Sequence, residues 1–129
     1  MFKVLKSVSL VILSSLVLTP MAFSREYVEI KPEFIVNYGM DQKLHFMKFE
    51  MSLRLEDSAD ALDVNIHADL IRHEMIMLMS RQETSAINSV EGKIEIQEQA
   101  LEAIQKVFLE EFGKKMVDRV LFLNYIVQK

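Results

Sequence analysis

An α+β fold is predicted for this chain, and three features of its hydrophobic patterning predict it. Two early stretches are strand-like, two central ones switch to the helical period, and the last is a continuous apolar run. The resulting order, β-β-α-α-β, implies a small sheet of about three main strands packed by two or more helices.

The first strand is predicted over Tyr27 to Tyr38, "YVEIKPEFIVNY". Pro32 lies between two β-branched or apolar runs, and because it cannot donate to a ladder it belongs on an edge or at a strand start. The turn signal "NYGMDQ" ends this element. In "KLHFMKFEMSLRLED", Phe49, Met51, Leu53 and Leu55 alternate with polar residues, which predicts a strand with one wet and one dry face. Leu44 and Phe46 are out of phase with Phe49, so a bulge is expected near Met47.

From Asp57 the period becomes helical. Asp57 or Ser58 can cap, Asp60 and Asp63 suit the positive end of the helix dipole, and Leu62, Ile66, Leu70, His73 or Glu74 and Met77 recur at spacings of three and four. The segment "LIRHEMIMLMS" is apolar nearly all round, which predicts burial on more than one side or contact with a partner. A second helix is predicted from about Ser89 to Phe112, with Ala100, Leu101, Ile104, Val107, Phe108 and Phe112 on one stripe, Glu102 and Lys106 paired on the surface, and Gly113 as its stop. The final run "MVDRVLFLNYIVQ" reads as a strand buried on both faces.

Ahead of these elements, Lys3 and Lys6 precede eighteen uncharged residues from Ser7 to Ser24, and Ala22 and Ser24 stand two apart just before Arg25. That is the layout of a secretory signal peptide. The competing reading is a short uncleaved anchor, which wants about 20 predominantly apolar residues. Serines, a threonine and Pro20 dilute the run, which favours cleavage near Ser24. Residues 25–129 are therefore expected to form one exported domain.

Setting aside Lys3 and Lys6 leaves 13 basic groups against 19 acidic ones, a net charge of −6. This balance argues against a nucleic-acid partner and offers no basic patch for anionic lipid. With no cysteine there is neither a disulfide nor a thiolate nucleophile. No Gly-rich phosphate loop or nucleophile elbow is present, and the carboxylates are spread along predicted helix faces, so an enzyme is not expected.

"MIMLM" invites a Cu(I) reading through Met75, Met77 and Met79, but steps of about 100° per residue point Met77 away from the other two. Core filling or an adaptable contact surface fits better. His67 and His73, with Glu74, miss the i, i+4 spacing of a helical zinc site, and His45 lies on a strand; no metal or cofactor is expected. Arg72 stands inside the apolar helix, where it must reach water or pair with an acid. Arg72, Met75 and Met79 are the candidate residues for a partner or self-association interface.

The ordered set of features resembles the flagellar basal-body-associated FliL family. Pro32, Phe34, Val36 and Asn37 match its "PxFxVN" opening strand. Ile71, Arg72, Met79 and Ser80 match the "IRxxxxxxLS" helix, with Met79 where leucine is usual. "EGK" at Glu91 to Lys93 matches the next helix start, and "VLFLNYIVQ" the end of the domain. The resemblance implies a periplasmic domain similar to the stomatin, or SPFH, fold. It also implies a non-enzymatic scaffold at the inner membrane that forms homo-oligomers, including rings, and associates with stator units built from MotA and MotB to support swimming and swarming. The chain departs from the family pattern in its short, signal-like leader and its missing linker. A stand-alone exported scaffold protein is therefore the alternative.

Overall fold

A computed structural model describes residues 26–39, 43 and 45–128. The proposed leader and Leu44 lie outside the described residues. Three antiparallel strands form one sheet in the order β1-β2-β3: β1 is Tyr27–Tyr38, β2 is His45–Leu55 and β3 is Val117–Gln128. Between β2 and β3 come a 3-10 turn at Ser58–Asp60 and the helices α1 (Ala61–Ile66), α2 (Ala68–Ser80), α3 (Thr84–Asn88) and α4 (Val90–Phe112). The fold is α+β as expected, with the order β-β-α-α-α-α-β. The predicted first helix is divided, and α3 is an additional element.

Helices cover one face of the sheet, α2 against β1 and α4 against β3. The core is built from the inward residues of the strands, among them Phe34, Met47, Phe49, Met51 and Leu53, meeting Ile71, Met75, Met79, Ile104 and Phe108. The division of the first helix falls at His67, whose backbone leaves helical geometry at φ −92°, ψ 12°. Its Nδ1 lies 2.8 Å from the Asp63 carbonyl, so Nδ1 carries the proton and donates. The ring then lies edge-on to Phe112, with centroids 4.9 Å apart.

The periodic stripe of Leu62, Ile66, Leu70 and Met77 faces outward. Leu62 and Ile66 are 70% and 66% exposed, whereas Val64, Ile71, Met75, Leu78 and Met79 are buried. Both sets recur at helical spacing, and contact with β1 decides which one turns inward.

Bulges in the strands set the phase of the sheet. β2 alternates without a break through Met47, and the bulge expected there falls on its partners. On β1, Lys31, Pro32 and Glu33 stand opposite Glu50 alone, with a cis peptide between Lys31 and Pro32. Because two extra residues are an even number, every later β1 residue keeps its face. On β3, Asn124 and Tyr125 share the place opposite Phe49, and Asn124 adopts φ 50°, a region asparagine tolerates. A single extra residue reverses the phase, so Leu123 and Ile126 both point to the uncovered face, where Ile126 is 53% exposed. β3 is thus an edge strand with one open face. Its apolar run Val120, Leu121, Phe122 and Leu123 pairs residue for residue with β2, so Leu121 and Leu123 place apolar side chains on the open face, and the expectation of burial on both faces is corrected accordingly.

Ser89 caps α4 by accepting from the Gly92 amide at 3.0 Å, and Gly113, at φ 73°, ends the helix by donating to the Leu109 carbonyl. Gly92 has a second duty at the α3–α4 corner. A Cβ there would lie 2.1 Å from the Ala86 carbonyl oxygen. Gly92→Ala should therefore destabilise the domain by about 1–3 kcal/mol, through forced backbone movement. Gly113→Ala, which meets no neighbour but retains positive φ, should cost about 1 kcal/mol. Urea unfolding of the two variants, with the first the less stable, is the check.

Candidate functional site

Arg72 is half-exposed, with its guanidinium turned onto β1 and no acidic partner among the described residues. Its guanidinium carbon sits 4.2 Å from the centroid of the Phe34 ring, and Nη2 donates to the Pro32 carbonyl inside the β1 bulge. The aromatic face and the backbone oxygen together satisfy a charge held against the sheet. Beside it, Lys48 reaches Glu33 at 2.9 Å. Met75 and Met79 are wholly buried. In this fold neither presents surface to a partner, and Arg72 is committed to β1.

The histidines are dispersed. His67 packs on Phe112, His73 is exposed on α2, and His45 stacks against Tyr38 with centroids 5.3 Å apart. Among the described residues no cluster of three or more histidine, aspartate or glutamate side chains is arranged to hold a metal ion. Two ion pairs have structural roles. Lys114 Nζ meets the buried Asp60 carboxylate at 2.6 Å, tying the 3-10 turn to the end of α4, and that contact raises the Lys114 pKa. Arg54 Nε meets Asp118 at 2.6 Å beside the second bulge of β3, and that hydrogen bond raises the Arg54 pKa.

Along β3, α4 does something that sequence reasoning missed. Gln97 donates to the Val120 carbonyl and Gln105 to the Val117 carbonyl at 2.9 Å. These two glutamines lie about two helical turns apart, so they share one face of α4 and reach the first half of the strand. That spacing was the available signal. Tyr125 then donates to the Ile87 carbonyl at 3.2 Å, joining β3 to α3. Burial pushes the Tyr125 hydroxyl up to about 12, and Tyr38 acts in the same direction.

Two surface features of the described residues bear on association. The exposed stripe of Leu62, Ile66, Leu70 and Met77 runs along α1 and α2. A groove of about 280 Å³ lies between α4 and β3 and includes Lys93, Ile96, Arg119, Leu121, Phe122 and Tyr125. No helix among the described residues is long and apolar enough to cross a membrane.

This arrangement defines a small α+β domain whose distinctive chemistry lies in apolar surfaces and a groove. A family model described as flagellar basal body-associated protein FliL matches residues 27–128, and the chain belongs to that family. Association with the flagellar basal body is what membership implies for its function. A comparison with curated proteins found no match.

Arg72→Met keeps much of the side-chain packing but removes the carbonyl bond and the aromatic contact. It should cost about 1–3 kcal/mol in denaturant unfolding. The raised Tyr125 pKa has an alkaline signature. The folded state retains a proton that the unfolded chain releases above its ordinary pKa of about 10, so stability is full below that pH and declines from there through about 12. Tyr125→Phe should flatten this decline in unfolding curves recorded across the same range.

Proposed function

We propose that the protein is a non-enzymatic component of the flagellar motor, a periplasmic domain that associates with itself and with stator units to support swimming and swarming. The family match over the whole described domain is the observation that carries this reading. Residues 1–24 act as its export leader, by cleavage near Ser24 or as an uncleaved anchor at the inner membrane. Chemotactic spreading depends on it only through motor output.

With Met75 and Met79 in the core, self-association falls to the adjacent stripe of Leu62, Ile66, Leu70 and Met77, whose apolar surface is already at hand. Arg72 contributes from behind by holding the β1 bulge against α2.

Deleting the gene should reduce swarm expansion, most strongly under viscous load, and the full chain should restore it. A Leu62→Asp, Leu70→Asp double variant should remain folded by circular dichroism yet restore motility poorly and sediment as a smaller species. Unchanged motility in the deletion strain, with the protein distributed away from flagellar bases, would instead support the stand-alone exported scaffold.

A further inference from the structure

We infer that the groove between α4 and the free edge of β3 is a docking site for a short, extended, acidic segment of a partner protein, which adds to β3 by main-chain hydrogen bonds. The inference does not depend on which assembly houses the domain.

The geometry begins with the ladder. β3 is an edge strand, and Val120 turns its carbonyl away from β2 toward Gln97. In an antiparallel pair the outward groups alternate, so Phe122 directs its amide and carbonyl to the same free side. Gln97 and Gln105 serve the carbonyls of Val120 and Val117, upstream of Phe122. At Asn124 the bulge breaks the register. The available edge is therefore short, centred on Phe122, and suited to a few residues of extended chain.

The walls supply the specificity. Half-buried Leu121, Phe122 and Tyr125 offer apolar surface along that edge, over the buried Ile96. Lys93 lies 4.9 Å over the Tyr125 ring, and Arg119 is exposed at the other margin. No acidic side chain among the described residues lines the groove. In a chain carrying 19 acidic and 15 basic residues, a groove whose only charges are two cations is matched to an anionic occupant. A second copy fits poorly. Pairing two β3 edges across a twofold axis would bring the same Lys93 and Arg119 toward their own equivalents, like charge against like.

The test uses the full chain, labelled with ¹⁵N, and a blocked seven-residue peptide alternating valine with glutamate. A second peptide with lysine in place of glutamate is the control. The glutamate peptide should shift the amides of Leu121 to Tyr125 and of Lys93, and should bind more weakly as salt rises from about 50 mM to about 500 mM. Lys93→Glu combined with Arg119→Glu should weaken binding by about tenfold or more, while Lys106→Glu, farther along α4, should leave it unchanged. Lys93→Gln with Arg119→Gln gives a milder loss if the double reversal fails to fold. Equal binding of the two peptides, or shifts confined to another surface, overturns the proposal. So does broadening of the β3 amides that grows with protein concentration alone, which assigns the edge to a second copy.

Discussion

A line of stacked groups runs from α2 across the whole sheet. The Arg72 guanidinium lies over Phe34, whose ring stacks on Phe49 at 4.7 Å with only 7° between planes, and Phe49 meets Phe122 edge-on at 5.3 Å. One residue from each strand and one from α2 are thereby held in series, with favourable aromatic geometry at both ring contacts. The β1 bulge makes the line possible. Without its two extra residues the regular register would bring Pro32, instead of Phe34, opposite Phe49. The same bulge supplies the Pro32 carbonyl that Arg72 holds, so strand register and helix docking are set together.

Burial on a single face follows from that arrangement. α2 and α4 cover the side carrying the aromatic line, and the opposite side of a three-stranded sheet stays uncovered. Edges are the usual liability of such sheets. Here β1 is interrupted by a bulge with Arg72 on its carbonyl, while the first half of β3 is served by two glutamines of α4. The accessible apolar surface includes the outward helical stripe, Ile35 and Phe46 on the uncovered sheet face, and the later part of β3. Family membership implies association with the flagellar basal body.

The candidate interface residues show how packing decides what a side chain can present. Arg72, Met75 and Met79 stood out in sequence because a charge and soft apolar side chains share one helix. Yet Met75 and Met79 fill the core against the sheet, and Arg72 reaches a backbone oxygen that no sequence pattern advertises. Backbone carbonyls are present at every position, so only the path of the chain says which one is within reach. The α4 glutamines that reach β3 were overlooked for the same reason.

Local chemistry by itself determined the α+β class, the alternation of β2 and both ends of α4. Period two, a serine cap and a glycine stop act over a few residues and need no distant partner. The motif order from Pro32 to the end of β3 also determined the family. Tertiary structure alone decided which apolar stripe of α1 and α2 turns inward, since both have helical spacing and only contact with β1 distinguishes them. It also decided the faces of β3. A single-residue bulge at Asn124 and Tyr125 reverses the side to which later residues point, and the absence of a covering layer leaves the apolar Leu123 and Ile126 exposed on the open face.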